Sequence, residues 1–127
     1  MAKATAVAVL HARFIDAFKL MNIYLNHFPR HERYGLCQQI RESMYSAYRY
    51  FIESNKRYHK KTSLTNLDVR HEQWRMLVNV AYDLGYFDFK DGRKNESVSP
   101  VDRYSAISRK IDEIGRIIGG MIRVNTR

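Results

Sequence analysis

Residues Ile111–Asn125 read IDEIGRIIGGMIRVN, a pattern typical of a helix that nevertheless contains Gly115, Gly119 and Gly120. An interior glycine destabilises a helix by about 1 kcal/mol relative to alanine, so it indicates that another backbone approaches the helix closely at that position. Gly115 and Gly119 are four residues apart and share one face. Two interpretations are open for Gly119 and Gly120. They either end the helix as a C-cap or lie inside it, and the second is favoured because the apolar rhythm continues beyond them.

The start of this fourth helix is marked by three consecutive signals. Ser99 is a typical N-cap, Pro100 suits the first helical position, and Asp102 is favourable in the first turn. The core-facing positions alternate between spacings of three and four, as in a heptad seam. They are Tyr104, Ile107, Ile111, Ile114, Ile118 and Met121 or Ile122.

Two more seams with the same spacing lie upstream. The first helix is expected to end at Pro29, because proline interrupts helical hydrogen bonding. Its seam comprises Val7, Leu10, Phe14, Ala17, Met21, Tyr24 and Phe28. The second helix is predicted from about His31 to Tyr58, with Gly35 in its first turn. Its seam comprises Cys37, Ile40, Met44, Ala47 and Phe51.

The third helix is preceded by a predicted turn at residues 60–63. Thr65 followed by Asp68 resembles a capping box, and Gly85 is expected to end the helix. Its seam is predicted at Leu67, Trp74, Leu77, Ala81 and Leu84. Residues 85–99 are predicted to form a polar loop with a turn at Asp91-Gly92.

The four patterns predict an all-α fold, an antiparallel up-down four-helix bundle that occupies residues 1–127 as a single domain. Helices 1 and 2 carry more apolar residues than one seam needs, namely Ile15, Phe18, Leu25, Leu36, Tyr48 and Ile52. With the glycine face at Gly115 and Gly119, this surplus indicates packing between subunits. The alternative is a generous internal core.

The chain is strongly basic, with 22 Lys and Arg against 13 Asp and Glu and a net charge of +9. The excess is clustered. Residues 27–61 hold eight Lys or Arg against three Glu, and residues 101–127 hold six against three acids. Clustered positive charge indicates a polyanionic partner, most simply nucleic acid. The alternative is a solvated basic surface that only aids solubility.

Several classes of function are disfavoured. No apolar run approaches the ~20 residues that span a membrane, so no membrane contact is expected. Cys37 is the only cysteine and cannot form an intrachain disulfide, so a cytoplasmic protein is expected. His71-Glu72 lacks the second histidine of a zinc-protease helix, and no glycine-rich phosphate loop is present. We therefore expect a protein that is not an enzyme and has no metal and no cofactor.

Candidate binding residues lie along two helices. Arg109, Arg116 and Arg123 are seven residues apart, about two turns, and therefore form one line on helix 4. Arg103 and Lys110 share a second line. Arginine suits phosphate oxygens, so a ligand surface is favoured over the alternative of a subunit surface with ion pairs.

Helix 2 carries the other basic line, in which aromatic and cationic side chains alternate. It consists of Arg41, Tyr45, Arg49 and Lys56, and is extended by Arg57, Lys60 and Lys61. Tyrosines among arginines can stack on unpaired bases. The alternative is that Tyr45 and Tyr48 pack between bundles. No base-reading motif is present, so recognition would depend on charge and shape.

Three strings resemble a known family. EIGRIIGG, residues 113–120, resembles the C-terminal signature of the accessory variability (Avd) proteins of diversity-generating retroelements. FPRHERYGLCQQIRES, residues 28–43, and LVNVAYDLGYFD, residues 77–88, resemble the helix 1–helix 2 junction and the end of helix 3 in the same proteins. These two strings are shared with the wider four-helix-bundle family named for ribosomal RNA intervening sequences. The resemblance covers about residues 18–125.

The resemblance implies a homopentameric ring that binds the element's reverse transcriptase and template RNA, and possibly DNA, and so supports error-prone cDNA synthesis. Arg75 matches the first arginine of a family pattern, L-R-x-x-x-R, that is expected to contact the polymerase, but Asn79 replaces the second. The bulky, tyrosine-rich segment 44–55 favours Avd over the wider family. The alternative is a stand-alone four-helix-bundle interaction protein of the intervening-sequence family with an unknown partner.

Overall fold

The computed structural model describes residues 3–90, 92 and 98–125, with side chains from residue 5 onwards. Within these residues the fold is all-helical. The four long helices are α1 (Lys3–Leu25), α2 (Leu36–Lys56), α3 (Lys61–Asp83) and α4 (Pro100–Asn125), and a short 3-10 turn spans Arg30–Glu32. No helix in the described part of the chain is long and apolar enough to cross a membrane.

The helices form an antiparallel up-down bundle, as predicted. Late residues of one helix meet early residues of the next: Asn22 meets Arg41, Glu53 meets Ser63, and Asn79 meets Tyr104. Helix α1 also packs antiparallel to α4, since Arg13 pairs with Glu113 and Asp16 pairs with Lys110. Helices α1 and α3 share no backbone contact among the described residues, and neither do α2 and α4. Each pair therefore lies at opposite corners of the bundle.

The predicted seams of α1, α2 and α4 are confirmed. Their central positions are inaccessible to solvent, and include Leu10, Phe14, Ile40, Met44, Ile107, Ile111, Ile114 and Ile118. The surplus apolar residues of helices 1 and 2 are partly core residues and partly surface residues. Leu25 and Leu36 belong to the core, whereas Ile15 and Ile52 are exposed. The surplus thus fills part of the core and also leaves apolar side chains at the surface.

The predicted seam of α3 is wrong in its second half. Leu84 is 55 % exposed and Leu77 is only half-buried, whereas Val78 is buried. The observed seam is Leu67, His71, Trp74, Val78 and Ala81. Its spacing is that of a regular heptad seam, but the polar His71 occupies one of its positions. The predicted seam therefore follows a neighbouring apolar face of α3 in its second half and not the face that is buried.

Helix α2 begins at Leu36, five residues later than predicted. Gly35 lies at the N-cap position with φ −105° and ψ −109°, outside the helical region. The Glu32 carboxylate replaces the missing N-cap side chain, because its Oε1 accepts a hydrogen bond from the Leu36 amide at 3.2 Å. A β-carbon at residue 35 would lie 2.6 Å from that oxygen, so glycine leaves room for this contact.

Helix α3 begins earlier than predicted. Residues 61–63 form its first turn, so the predicted turn at residues 60–63 is wrong beyond Lys60. Thr65 lies inside the helix, where its hydroxyl donates to the carbonyl of Lys61 at 2.8 Å, and is not part of a capping box. The turn from α2 to α3 is consequently short, and its basic residues lie at one end of the bundle.

The end of α3 and the start of α4 follow the predicted signals. Gly85 has φ +81°, its amide bonds to the Tyr82 carbonyl, and the Tyr86 amide bonds to the Ala81 carbonyl. These two bonds define a Schellman motif. At α4, the Ser99 hydroxyl accepts from the Asp102 amide at 3.2 Å. Gly92 has φ +84°, whereas Asp91 of the predicted turn lies outside the described residues.

The connection between α3 and α4 is not simply polar. Phe87 is completely buried and packs edge-on against Tyr24 and Phe28. Arg103 is 5 % exposed and donates to the carbonyls of Phe87 and Phe89 at 2.9 and 2.7 Å. Its guanidinium also lies over the Phe89 ring, 3.8 Å from the centroid. Arg103 therefore anchors the connection and is not part of a basic surface line.

Helix α4 continues through all three of its glycines to Asn125. The C-cap interpretation of Gly119 and Gly120 is therefore wrong. Neither glycine has a positive φ. A β-carbon at either position would meet nothing closer than the Arg123 guanidinium, at 3.8 Å. Gly115 is different, because a β-carbon there would lie 2.7 Å from Cε1 of His71.

Candidate nucleic-acid interface

The arginine line of α4 lies on the surface. Arg109, Arg116 and Arg123 are all exposed, and their spacing of seven residues holds because the helix is uninterrupted. Arg109 donates to the carbonyl of Ser105 at 3.3 Å. Three guanidinium groups along one helix present a linear array of positive charge at intervals of about 10 Å. Such an array can follow a phosphate backbone.

A shallow groove runs beside this line. Its lining residues are His71, Asp112, Gly115, Arg116, Gly119 and Arg123. Gly119 leaves the helix backbone open between Arg116 and Arg123, whereas the His71 ring covers the backbone at Gly115, and the groove is open to solvent. An anionic ligand can therefore approach the backbone of α4 here. The single carboxylate, Asp112, opposes this at one end of the groove.

The second predicted line on α4 does not exist as a surface feature. Arg103 is buried beneath the connection that follows α3. Lys110 is half-buried and pairs with Asp16 of α1. Neither side chain is placed like the three exposed arginines. Sequence spacing alone could not separate the two lines, because both have the period of seven residues.

Two residues of the basic line of α2 make hydrogen bonds within the subunit. Arg41 donates to Asn22 at 3.1 Å and to Asn26 at 3.4 Å, and so ties α2 to the end of α1. Arg49 is exposed and donates to Ser46 at 2.9 Å. Arg49 is therefore better placed than Arg41 for an external ligand.

The tyrosines of this line pack within the chain. The Tyr48 hydroxyl and Nδ1 of His11 form a hydrogen bond at 2.9 Å. The Tyr48 ring contacts three phenylalanine rings, those of Phe14, Phe18 and Phe51. Tyr45 lies edge-on to Phe18, and its hydroxyl accepts from Asn22 at 3.0 Å. Both rings join α2 to α1 of the same subunit, and only Tyr45 keeps substantial exposure. Neither is presented freely for stacking on a base.

The turn between α2 and α3 collects the remaining basic residues. Lys56, Arg57 and Lys61 are exposed, as are Tyr58 at 93 % and His59. Lys60 is half-buried, and its ammonium donates to the carbonyl of Ser54. The structure thus brings an exposed tyrosine and three exposed cations to one end of the bundle. Tyr58 is open for base stacking beside these cations, and the sequence pattern does not single it out.

Arg75 lies apart from these groups, on α3. Its Nε donates to Glu72 at 2.6 Å, and this ion pair raises the pKa of the guanidinium above its ordinary value. Asn79, which replaces the second arginine of the family pattern, accepts a hydrogen bond from the Tyr104 hydroxyl. Asn79 therefore joins α3 to α4, and a single charged residue remains of the expected pair.

Helix α3 also carries an exposed apolar surface that the sequence pattern does not single out. Val69, Met76, Val80 and Leu84 are 42–55 % exposed and lie on the outer face of the helix. A period-based search could have found them, since their spacing is regular. The predicted core seam includes Leu84, and for this reason the sequence does not predict that these residues form a surface.

Comparison with known proteins agrees with the resemblance. The family model described as bAvd-like matches residues 8–125 of the chain, which covers α1 from residue 8 onwards, the other three helices in full and the arginine line of α4. No curated protein matches the sequence. Because the match covers almost the entire bundle, the chain belongs to the bAvd-like family.

Proposed function

We propose that the protein is a non-enzymatic accessory subunit of a diversity-generating retroelement. It assembles into a basic ring, most simply a pentamer, and holds the element's reverse transcriptase and template RNA together during mutagenic cDNA synthesis. Membership of the bAvd-like family supports this role. The observation that carries the proposal is the exposed line of Arg109, Arg116 and Arg123 along α4, beside the groove that Gly119 leaves open.

Electrostatic contact with phosphates fits this geometry better than base reading. The exposed cations lie along a helix and at a short turn. Binding by charge releases condensed counterions, so affinity falls steeply as salt rises. We expect RNA and DNA to bind without strong sequence preference. Contact with the polymerase is expected to use the remaining exposed cations, including Arg75, Arg49 and the α2–α3 turn.

The decisive variant replaces Arg109, Arg116 and Arg123 together with glutamine. Glutamine keeps helix propensity nearly unchanged, and the three side chains are exposed, so folding should survive. Fluorescence titration with template RNA should show weaker binding and a shallower dependence on salt. A matched control replaces the exposed Arg30, Arg33 and Lys90 with glutamine, which removes the same charge from the opposite end of the bundle.

The two variants separate a specific surface from net charge. If both variants lose the same affinity, only the overall positive charge matters and the α4 surface is not the binding site. If the α4 variant loses its oligomeric state, the arginine line is a subunit surface. Light scattering of the parent protein should give a multiple of the 15.1 kDa chain, with five copies expected. A parent that stays monomeric at all concentrations would contradict the proposed ring.

A further inference from the structure

The exposed apolar residues of α3 form a continuous stripe. We define the α3 stripe as Val69, Gln73, Met76, Val80 and Leu84, which are spaced four, three, four and four residues apart. This spacing places them on one side of the helix. The four apolar members are 42–55 % exposed. A regular apolar stripe at the surface of a charged protein indicates a surface that another protein covers.

Helix α1 carries a second stripe with the same spacing. The α1 stripe is Ala8, Ala12, Ile15, Lys19 and Ile23, and all five residues are exposed. It lies between the side chains that contact α2, such as Asn22, and those that contact α4, such as Arg13 and Asp16. The α1 stripe therefore points away from the bundle, as the α3 stripe does. Because α1 and α3 are at opposite corners, the two stripes lie on opposite sides of the subunit.

We propose that the α1 stripe of one copy packs against the α3 stripe of the next copy. This inference rests on the proposed function only in assuming that the chain self-associates. Contact between two different surfaces of the same chain is heterologous, and repetition closes into a ring where the rotation allows it. The side-chain sizes match, since the small Ala8 and Ala12 leave space for the larger Met76, Val80 and Leu84.

Charge favours this partner over pairing of α3 with itself. Asp68 and Asp83 flank the α3 stripe near its two ends and form no ion pair among the described residues. In an antiparallel α3–α3 contact, Asp68 of one copy lies near Asp83 of the other, and the like charges repel. The α1 stripe instead supplies Lys19, which is exposed and also outside the ion pairs described. A second copy therefore offers a cation that can meet one of these two carboxylates.

The contact has a consequence for the basic surfaces. Burying the outer faces of α1 and α3 leaves the outer faces of α2 and α4 uncovered. In a closed ring one of these faces lines the centre and the other lies outside. The arginine line of α4 and the basic line of α2 would then contact ligands on different sides of the ring. A polymerase and an RNA can bind together without competing for one surface.

The test uses one variant in each stripe. Ile23→Glu places a charge in the α1 stripe, and Met76→Glu places one in the α3 stripe. Both residues are about half-exposed in the single subunit, so folding should survive, but either charge would be buried between copies. We expect light scattering to show that each variant falls to the 15.1 kDa monomer. Val101→Glu, at a residue 51 % exposed on α4, is the matched control and should keep the parent size.

Mixing the two variants tests the direction of the contact. Ile23→Glu keeps an intact α3 stripe, and Met76→Glu keeps an intact α1 stripe. A heterologous contact therefore predicts that an equimolar mixture forms one-to-one dimers, at twice the mass of the chain, that neither variant forms alone. Circular dichroism of each variant establishes that the helices are intact.

Every other result overturns the inference. If Ile23→Glu stays assembled while Met76→Glu dissociates, and mixing adds nothing, α3 pairs with itself. If both variants keep the parent size, the stripes are covered by another protein or by none, although the proposed ring survives. A monomeric parent would contradict both this inference and the proposed ring, whereas weakened RNA binding by the α4 variant would still support the nucleic-acid part of the proposed function.

Discussion

The imidazole of His71 lies against the backbone of α4 at Gly115. Its Nε2 donates to the carbonyl of Ile111 at 2.7 Å, and a β-carbon on Gly115 would lie 2.7 Å from the ring Cε1. The glycine predicts the close approach of another backbone, whereas the group that approaches at Gly115 is a side chain of the same subunit. This gives Gly115 a role in folding. Its predicted role, with Gly119, in packing between subunits remains a prediction.

Gly115 and Gly119 should respond in opposite ways to alanine. Gly115→Ala forces the buried His71 ring to move, and overpacking of this kind destabilises by about 1–3 kcal/mol, against a gain of up to about 1 kcal/mol in helix propensity. The β-carbon of Gly119→Ala would lie 3.8 Å from the Arg123 guanidinium, an ordinary contact, so this variant should stabilise the protein by about 0.5–1 kcal/mol. Thermal or urea unfolding of the two variants measures the difference.

Gly120→Ala is a second control, because residue 120 is also helical and uncrowded. It should be as mild as Gly119→Ala. Equal stability of Gly115→Ala and Gly119→Ala would show that the His71 contact carries no strain. A larger residue at position 115 cannot isolate subunit packing, because it would disturb His71 first. Assembly should therefore be examined with Gly119→Leu, whose position is open within the subunit.

Arg103→Lys should destabilise the protein although it preserves the charge. The guanidinium donates to two carbonyls and lies on the Phe89 ring, whereas an ammonium cannot reproduce this planar geometry. Loss of buried charge-assisted hydrogen bonds costs about 1.5–3 kcal/mol. Chemical unfolding provides the measurement, with Arg109→Lys as the exposed control. Indistinguishable stabilities would mean that Arg103 does not anchor the α3–α4 connection.

Phe87→Ala tests whether that connection belongs to the core. Phe87 is fully buried and contacts aromatic rings of Tyr24, Phe28 and Tyr104. Removal of a buried phenylalanine side chain typically costs about 3–5 kcal/mol. Asp88→Ala, at the next and exposed residue, should change the unfolding free energy by less than about 0.5 kcal/mol. A mild Phe87→Ala variant would place the connection outside the cooperative core.

Glu32 should make stability depend on acidic pH. Hydrogen bonds from the Tyr86 hydroxyl and then from the Leu36 amide lower the pKa of this carboxyl from 4.5. Because the folded-state pKa is lower, the stabilisation is present above the unfolded-state value and is lost as pH falls through the folded-state pKa. Unfolding followed between about pH 6 and 2 should show this loss in the parent.

Two variants test whether Glu32 causes this loss of stability at acidic pH. Glu32→Gln removes the titrating group and should reduce the fall in stability over this range. Tyr86→Phe removes the hydrogen bond that lowers the pKa of Glu32 most but keeps the ring against Phe28, so this pKa should rise towards its ordinary value. Tyr86 itself has a raised pKa because of the same contact, so its contribution is lost as pH rises through that value. Parent-like acid unfolding of Glu32→Gln would assign the effect to other carboxylates.

Local chemistry made much of the fold predictable. Ser99, Pro100 and Gly85 fix helix ends through interactions within a few residues, and all three signals are confirmed. The seams of α1, α2 and α4 are predictable because apolar residues occupy the seam positions with a regular heptad spacing. The α3 seam was misassigned because His71 satisfies its buried nitrogen through α4, a contact that no local pattern reveals.

The candidate site was predictable to a smaller extent. The exposed line of Arg109, Arg116 and Arg123 follows from helix geometry, and the structure confirms its position on the surface. Arg103 has the same spacing relative to Lys110 but is buried, because the connection after α3 folds over it. Tyr45 and Tyr48 share a helix face with the basic residues but pack against α1.

The sequence by itself determined the number of long helices, the end of α3, the start of α4 and the continuous basic line of α4, because these depend on periodicity and on interactions between near neighbours. Only the tertiary structure decided which polar residues are buried, which tyrosines are used for packing, and which apolar residues remain uncovered on α1 and α3. The physical reason is that burial depends on what lies across the bundle. His71 and Arg103 are stable inside because α4 and the α3–α4 connection supply carbonyl oxygens at the right distance.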